Sequence, residues 1–600
     1  MAIGIEHSVR NGPRTFVDTK SGVRMNRSSL LTALTACLLF SAPTIAASGQ
    51  PHPGKRESRE NTYCNPIDLP YRFAISAKVP WREAADPTVV LFHGEYWLFP
   101  SKTGGYFHSR DLLHWSFVEA HGYPVEGYAP TALVMDGRLY LTNGEGNTKI
   151  FVTDDPGSGN WSIAADFGTA YGDPDLFLDD DGRLYMYDGV NNKTPLRVTE
   201  LDRKTFQKIR QADISQARSE ATRGWEVPGD SNDQTKVAAW IEGSWMNKHN
   251  GTYYLQFAAP GTEFKTYGDG VLTSKDPMGP FTYAPYSPFS FKPTGFIGGA
   301  GHSSTFAALD GRFWHIASMS ISVRHPFERR LGLFPTRFTK GGQLVTDTYL
   351  GDYPHYITGD HGLVGWMLLS RKKPVTSSSA LDGHAPELAA DEDVRTWWSA
   401  KTGDPGEWFQ FDLQAEKTIQ AIQINFADEG STQLGLTTDV YRYVLEVSSD
   451  SRTWRAVVDH EKDGRDAPDD YEVLPQPVRG RYIRIRNIHS PNGAKFSLSD
   501  LRVFGKGNLA LPERVAGIQA QRDLNDGRLA SVTWKPSEHA EFYIVRLGTN
   551  SKELTLNYQV YDGATTLMVP GLNSGVSYFV TVDAVNESGI KPGPSLVTFR

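Results

Sequence analysis

One segment carries the clearest structural pattern in the chain, and it reads Asp173-Pro174-Asp175-Leu176-Phe177-Leu178-Asp179-Asp180-Asp181-Gly182-Arg183-Leu184-Tyr185. An acidic residue before proline opens a short apolar run, the turn ends in glycine, and an aromatic strand follows. Asp-Gly tolerates the positive φ that a tight hairpin turn requires, and strand-forming residues flank it. The segment therefore predicts a β-hairpin.

The same pattern occurs four more times on either side of this segment. The starts are spaced by about forty to seventy residues, which is enough for one four-stranded propeller blade each. The sequence therefore predicts an all-β, five-bladed β-propeller over residues 61–365, with an array of β-sandwiches as the alternative. The four further copies begin at Asp86-Pro87, Ala129-Pro130, Glu242-Gly243 and His302-Ser303, and their turns end at Gly94, Gly137, Gly251 and Gly311.

The first position of each copy indicates chemistry. In a propeller the innermost strands line a central channel, so equivalent positions meet around the axis. Three of the five first residues, Asp86, Asp173 and Glu242, are acidic. An Asp-Pro pair alone is more often a turn, but three acids at one repeat position favour a functional cluster. Carboxylates brought together away from water raise one another's pKa, which suits one of them to act as an acid.

Composition excludes one large class of function. Six hundred residues predict about three to five domains. The chain has 61 basic and 69 acidic residues, a formal net charge of −8, and no basic stripe. Nucleic acid is therefore not expected as a partner. The 12% aromatic residues, 57 glycines and 36 prolines are typical of a turn-rich extracellular protein.

The N-terminus resembles an export signal. A basic residue precedes the apolar run Leu30–Phe40, and small residues follow, as a signal peptidase requires. We expect a signal peptide over residues 1–47, with Met25 as an alternative start, and a linker over 48–60. Lipoprotein attachment through Cys37 is the alternative. No other segment is apolar for long enough to span a bilayer, so we expect a periplasmic or extracellular protein without a transmembrane segment.

The motifs together resemble glycoside hydrolase family 43. They are Asn65-Pro66-Ile67, Ala85-Asp86-Pro87, Tyr128-Ala129-Pro130, the Asp173 segment and Glu242-Gly243. The resemblance covers about residues 61–360. It implies a five-bladed propeller and hydrolysis with inversion at the anomeric carbon.

The resemblance also implies roles for individual residues. Asp86 matches the general base, Asp173 the residue that modulates the pKa of the acid, and Glu242 the general acid. Asp68 is a rival for the base, because the segment between the Asn-Pro and Asp-Pro motifs is longer than usual. Asp86 is favoured because a strand rich in Val and Leu follows it.

Three further residues are expected to bind substrate. His302 resembles an axial histidine that in relatives lies near a bound ion or water, and Arg329 resembles an arginine near the sugar, with Arg330 as its rival. Tyr128 is the expected aromatic platform, ahead of Trp81 and Trp240.

The implied reaction is exo-hydrolysis of an α-L-arabinofuranosyl or β-D-galactofuranosyl residue from an oligo- or polysaccharide. The alternatives are a β-xylosidase or galactanase of the same family, a related invertase-type enzyme that retains configuration, and a non-catalytic carbohydrate-binding propeller. No cofactor is expected to be required, although calcium or another ion near His302 is an alternative. The oligomeric state does not follow from the sequence.

Two further modules follow the repeat. Residues 370–506, with Thr396-Trp397-Trp398, Glu407-Trp408 and Arg481-Tyr482, resemble a coagulation-factor type C, or discoidin, domain. That resemblance implies a jelly-roll sandwich that binds carbohydrate, with a structural spacer as the alternative. Residues 511–600 resemble fibronectin type III, and Tyr578 is expected to form a tyrosine corner. Truncation after about residue 365 is expected to leave turnover of small soluble substrates largely intact.

Overall fold

The structure is a computed structural model that describes residues 60–75, 78–144, 146–214, 221–321, 323–358 and 362–600. The predicted signal peptide, and the predicted linker apart from Glu60, lie outside the described residues. The all-β prediction is confirmed, because the described chain consists of strands and four short 3₁₀ helices, Pro156–Ser158, Gly224–Glu226, Pro386–Ala389 and Pro491–Gly493. No helix in these ranges is long and apolar enough to cross a membrane.

Five four-stranded antiparallel sheets follow one another along the first two thirds of the chain. The first strand of each sheet contacts the first strand of the next, and that of the fifth sheet contacts that of the first, so the contacts close into a cycle. We call this part the five-sheet ring. Three short strands precede it, β1 (Thr62–Tyr63), β2 (Arg72–Phe73) and β3 (Arg82–Glu83). Its sheets are β4–β7 (Thr88–Phe92, Glu95–Phe99, Gly105–Ser109, Ser116–Glu119), β8–β11 (Thr131–Met135, Arg138–Thr142, Lys149–Thr153, Ser162–Asp166), β12–β15 (Asp175–Leu178, Leu184–Asp188, Leu196–Leu201, Lys208–Ile214), β16–β19 (Glu242–His249, Thr252–Ala259, Gly268–Ser274, Thr282–Tyr283) and β20–β23 (Gly298–Ala307, Phe313–Ser320, Arg329–Phe338, Leu344–Thr346).

The first hairpin of each sheet is the predicted repeat. In the second and fourth sheets, Asp136-Gly137 and Asn250-Gly251 have positive φ at both turn residues, 52° and 72° in the first pair and 49° and 69° in the second. This backbone matches the right-handed twist of the strands it connects. In these two sheets the turn residues therefore fix the register of the first hairpin.

The second module is one eight-stranded sheet system. After β24 (His355–Tyr356), which pairs with β1, its strands run in the order β25-β32-β28-β31-β29-β30, with β26 beside β28 and β27 beside β32. We call residues 366–506 the sandwich module. Its strands are β25 (Met367–Leu368), β26 (Val375–Ser377), β27 (Trp398–Ser399), β28 (Trp408–Phe426), β29 (Arg442–Ser448), β30 (Arg455–Asp459), β31 (Asp469–His489) and β32 (Ser497–Lys506).

The last module has a three-stranded and a five-stranded sheet. The Tyr578 phenol oxygen accepts a hydrogen bond from the backbone N–H of Asn573 at 3.0 Å, so the predicted tyrosine corner is confirmed. The strands are β33 (Ala516–Arg522), β34 (Ala530–Lys535), β35 (Phe542–Gly548), β36 (Leu556–Val560), β37 (Thr566–Val569), β38 (Tyr578–Asn586), β39 (Gly589–Lys591) and β40 (Val597–Phe599).

The three parts share buried contacts rather than meeting through a linker. The described residues from 60 to 600 form one compact unit. One apolar cluster joins residues of the ring's third and fourth sheets, such as Leu255, to the core of the last module, such as Val545. Buried ion pairs join the ring to the sandwich module, including Arg82 to Asp428 at 2.7 Å.

These contacts revise the expectation for truncation. In a chain of residues 48–365 the ring would lose the last module that packs against residues such as Leu255, and Arg82 and Arg330 would lose their acidic partners. Exposing one buried large apolar side chain costs about 1.5–3 kcal/mol. Since a whole domain is stable by only about 5–15 kcal/mol, we expect the truncated chain not to fold cooperatively. Thermal unfolding of residues 48–365 and 48–600, side by side, measures this. A cooperative transition in the short chain within a few degrees of the full chain's would contradict the prediction.

Candidate active site

Four of the five predicted repeat positions adopt the same unusual backbone. The φ angles of Asp86, Ala129, Asp173 and His302 are 49°, 49°, 45° and 45°. Positive φ is uncommon for residues other than glycine and costs free energy, and such residues concentrate at functional sites. The shared geometry directs these side chains from successive sheets toward one place.

The fourth repeat position was predicted one residue too early. Gly243, with φ 65°, has the equivalent backbone, and Glu242 directly precedes it. The register of β16 shifts between Glu242 and Trp245, which is where the extra residue is accommodated. A Cβ atom at Gly243 would lie 2.8 Å from Cγ of His302. Glycine is therefore required at this position because the imidazole ring occupies the space.

His302 is the centre of the cluster. Its Nδ1 lies 3.2 Å from Oδ1 of Asp86 and 3.6 Å from Oδ2 of Asp173. One ligand atom each of Asp173, Glu242 and His302 lie within 4.8 Å of one another. Burial would lower the pKa of His302, but the three carboxyl groups together raise it. The structure thus brings the three predicted acids and the histidine into one site.

Asp86 is held in its ionised form. Arg329 donates from Nη1 to Oδ1 at 2.9 Å, and Ser101 donates to Oδ2 at 2.7 Å. Burial would raise the pKa of Asp86, but the charges of Arg329 and His302 and these hydrogen bonds lower it below its ordinary value. A buried carboxylate kept ionised at low pH is equipped to accept a proton.

The pKa values of Glu242 and Asp173 are raised, whereas that of Asp86 is lowered. Burial is the main cause that raises the pKa of Glu242, and the charge of Asp86 adds to it, although His302 and the hydrogen bond from Tyr267 act against it. That bond runs from the phenol to Oε1 at 2.5 Å. Burial likewise raises the pKa of Asp173, and the like charges of Glu242 and Asp86 contribute. Carboxyl groups whose environments push their pKa values apart are suited to act as an acid and base pair.

The side chains of Arg329 and Arg330 have different hydrogen-bond partners. Arg329 spans Asp86 and Glu83, donating from Nη2 to Oε1 of Glu83 at 2.6 Å. Arg330 instead donates from Nε to Oδ2 of Asp469, in the sandwich module, at 2.8 Å. Of the two candidate arginines, Arg329 is therefore the one in the cluster. Sequence reasoning missed Glu83, because its partner lies 246 residues away and no motif marks it.

The rings of Tyr128 and Phe327 lie near the guanidinium group of Arg329. The Arg329 Cζ atom is 5.7 Å from the centre of the Tyr128 ring and 5.3 Å from that of Phe327. Trp81 instead donates to Oε2 of Glu83 at 3.1 Å and stacks flat on His325. Its hydrogen bond to the cluster is therefore made through Glu83. The Tyr128 and Phe327 rings together form an aromatic surface beside the carboxylates.

Asp68, the rival for the base, lies elsewhere. Its Oδ2 accepts from Nη2 of Arg465 at 2.5 Å, and it lines a cavity of about 550 Å³ between the ring and the sandwich module. Asp86, in contrast, shares His302 with Asp173. The structure therefore places Asp86 and not Asp68 in the cluster.

The residues around His302 fit a calcium ion poorly. Calcium takes six to eight oxygen ligands, whereas the grouped residues Asp173, Glu242 and His302 offer two carboxylates and a nitrogen. Nδ1 of the imidazole faces Oδ1 of Asp86 and Oδ2 of Asp173. That the reaction requires no cofactor remains a prediction.

Comparison with known families accounts for most of the chain. The profile of glycosyl hydrolases family 43 matches residues 79–344, that of the F5/8 type C domain matches 374–500, and that of the fibronectin type III domain matches 513–599. The first match contains all of the clustered residues described above.

Several characterised relatives are similar to the first part of the chain. The Beta-D-galactofuranosidase xynD of Aspergillus niger is 27% identical over 39% of this chain and 72% of its own length. A non-reducing end alpha-L-arabinofuranosidase of Bacteroides ovatus is 27% identical over 38% of this chain, which spans less than half, 45%, of that relative. A beta-xylosidase of Xylanibacter ruminicola is 26% identical over 33% of this chain and 77% of its own length. Residues 79–344 are therefore a glycosyl hydrolases family 43 domain, and an F5/8 type C domain and a fibronectin type III domain follow it in the chain.

Proposed function

We propose that this glycoside hydrolase is an exo-acting, inverting enzyme that removes α-L-arabinofuranosyl or β-D-galactofuranosyl residues from oligo- or polysaccharides. The observation that carries the proposal is the opposite pKa shift of two neighbouring carboxyl groups, lowered at Asp86 and raised at Glu242. Glycoside hydrolysis needs such a pair, with one group ionised and the other protonated at the same pH, and inversion is proposed from the match to glycosyl hydrolases family 43.

Each residue has a distinct task in this mechanism. Asp86 removes a proton from a water molecule as the water attacks the anomeric carbon, while Glu242 donates its proton to the departing glycosidic oxygen. Asp173 and Glu242 are coupled, because the charge of Glu242 raises the pKa of Asp173, and the ionised form of one favours the protonated form of the other. Arg329 holds Asp86 ionised and oriented. Because attack and departure occur on opposite faces of the sugar in one displacement, the product has inverted configuration.

The depth of the site supports action at a chain end. The side chains of Asp86, Asp173 and His302 are buried, while the aromatic surface of Tyr128 and Phe327 lies beside Arg329. A buried reaction centre admits a terminal sugar more readily than an internal segment of a polymer. We propose that the Tyr128 ring is the platform for this sugar and that Arg329 and His302 contact its hydroxyl groups.

The architecture and location follow the same reasoning. We propose that the five-sheet ring is a five-bladed β-propeller whose channel ends at the cluster, since the first strands contact one another in a closed cycle. We propose that the protein is exported, because F5/8 type C and fibronectin type III domains are typical of extracellular enzymes. The F5/8 type C domain is proposed to bind the polysaccharide.

A β-xylosidase is the second candidate, favoured by the similarity to the Xylanibacter ruminicola enzyme. Both candidates share the acid and base residues, and they differ in the ring size of the sugar that the platform accepts. Nitrophenyl derivatives of arabinofuranose, galactofuranose, xylopyranose and galactopyranose distinguish them, because only the matching sugar places its anomeric carbon between the two carboxyl groups.

The stereochemistry of the product tests the mechanism. Proton NMR from the start of hydrolysis of the best substrate is expected to show first the anomer opposite to that of the substrate. In a retaining enzyme the two carboxyl groups lie about 5–5.5 Å apart and one acts as nucleophile, whereas inversion needs about 6.5–9.5 Å. A first product of retained configuration would contradict the assignment of Asp86 as a base.

A further inference from the structure

Two buried arginines that contact the sandwich module, Arg82 and Arg330, are sequence neighbours of Glu83 and Arg329 in the cluster around Asp86. β3 contains Arg82 and Glu83, and β22 begins with Arg329 and Arg330. The two segments run side by side, since the N–H of Ala84 donates to the carbonyl oxygen of Arg329 at 3.3 Å. Successive side chains of a strand point to opposite faces. Glu83 and Arg329 therefore face Asp86, while Arg82 and Arg330 face away from it.

Arg82 and Arg330, which we call the outward pair, form ion pairs with acidic residues of the sandwich module. Arg82 donates from Nε to Oδ2 of Asp428 at 2.7 Å, and its Nη1 lies 2.8 Å from Oδ1 of Asp466. Arg330 donates from Nε to Oδ2 of Asp469 at 2.8 Å. All five side chains are buried. Glu328, an acid of the ring, is 3.9 Å from Nη2 of Arg330, which is too far for a hydrogen bond. The acidic residues that accept hydrogen bonds from Arg82 and Arg330 therefore belong to the sandwich module.

A second set of hydrogen bonds joins the outward pair to the backbone next to Glu83 and Arg329, which we call the inward pair. Nη1 of Arg330 donates to the carbonyl oxygens of Arg82 at 3.0 Å and of Arg329 at 3.2 Å. Nη1 of Arg82 donates to the carbonyl oxygen of Tyr71 at 2.6 Å. The Arg330 guanidinium group therefore holds the backbone of Arg329 and of Arg82, the residue before Glu83. The Arg82 guanidinium group holds the backbone of Tyr71.

We propose that Asp428 and Asp469 of the F5/8 type C domain are positioning residues for the hydrolytic reaction. They anchor Arg82 and Arg330, and through the backbone of β3 and β22 they keep Glu83 and Arg329 in place against Asp86. The domain is then part of the catalytic apparatus in addition to any binding of polysaccharide. The inference rests on the proposed function in one respect only, the role of Asp86 as base.

The test compares Asp428→Asn and Asp469→Asn with Asp68→Asn. Asp68 joins the same two modules through Arg465 but has no bond to Arg82, Arg329 or Arg330 among the described contacts. We expect kcat to fall about ten- to hundredfold in the first two variants, because small displacements of catalytic groups have effects of this size. The acidic limb of kcat/KM is expected to move to higher pH, because a loosened Arg329 no longer holds the pKa of Asp86 as low. Asp68→Asn is expected to change neither quantity.

A double variant separates positioning from stability. Arg330→Met with Asp469→Leu replaces the buried pair by apolar groups of similar size, an exchange that buried ion pairs often tolerate. We expect it to unfold near the wild-type temperature yet to show the same loss of kcat and the same shift of the acidic limb. Folded variants with wild-type kcat and an unmoved acidic limb would overturn the inference.

A readout without turnover keeps this inference distinct from the proposed function. The imidazole of His302 faces Asp86, Asp173, Glu242 and Arg329, and the charge of Arg329 lowers its pKa. In histidine-labelled protein, assigned with His302→Gln, the NMR titration of His302 is expected to move to higher pH in the Asp469→Asn variant. An unchanged titration overturns the inference even if the protein hydrolyses no glycoside, and a shifted titration in an inactive protein supports the inference while the proposed function fails.

Discussion

Asp86→Asn is expected to lower kcat by about 10²–10⁴-fold, which is the usual contribution of a general base. Asparagine fills the same space but cannot accept the proton of the attacking water. The amide oxygen can accept the hydrogen bond from Arg329, and the amide NH2 group can donate to the Ser101 hydroxyl oxygen, so the fold is expected to survive. Because the lost interaction forms only in the transition state, kcat and kcat/KM should fall together while KM changes little.

A smaller side chain tests the role of the base more directly. In Asp86→Gly the space of the carboxylate becomes free, and azide is a nucleophile that needs no base. Added azide is expected to restore turnover and to give the glycosyl azide of inverted configuration. Asp68→Asn is the matched control and should keep wild-type turnover. Near-normal kcat of Asp86→Asn on a substrate with a poor leaving group would show that another residue is the base.

The positions of the clustered residues followed from the sequence to the extent that they belong to the repeat. Asp86, Ala129, Asp173 and His302 share one backbone conformation, and each lies in or just before the first strand of its sheet. The turn glycine follows the first position by eight residues in the copies of Asp86 and Ala129 but by nine in those of Asp173 and His302, so counting back from Gly251 does not locate the shift at Glu242. An alignment of the copies by their acidic residues places Glu242, rather than Gly243, at the first position.

The rest of the site depends on contacts that no local pattern encodes. Glu83 lies outside the repeat, in β3, and its role arises only because the chain returns with Arg329 in the fifth sheet. Tyr267 reaches Glu242 across sheet β16–β19 from the segment before β18. The same holds for the ion pairs to the sandwich module, since a buried Arg82 looks in the sequence like any surface arginine next to a glutamate.

Glu242→Gln is expected to show an equally large loss that depends on the leaving group. On oligosaccharides, whose leaving alcohol must be protonated, kcat should fall by about 10²–10⁴-fold. On a 2,4-dinitrophenyl glycoside, whose phenolate leaves without a proton, the loss should be far smaller. The wild-type rate requires Glu242 to be protonated, so it falls as pH rises through the pKa of Glu242. Glutamine does not ionise, and the basic limb of the pH profile should disappear.

Tyr267→Phe provides the matched control for this assignment, because it changes the pKa of the acid without removing the acid. The phenol donates to Oε1 of Glu242 and thereby lowers the pKa of that carboxyl group. Removing a hydrogen bond to a charged group, worth about 1.5–3 kcal/mol, corresponds to a rise of about one to two pKa units. The basic limb should therefore move to higher pH in Tyr267→Phe and vanish in Glu242→Gln. A basic limb that stays in place in both variants would mean that a different group, such as Asp173, donates the proton.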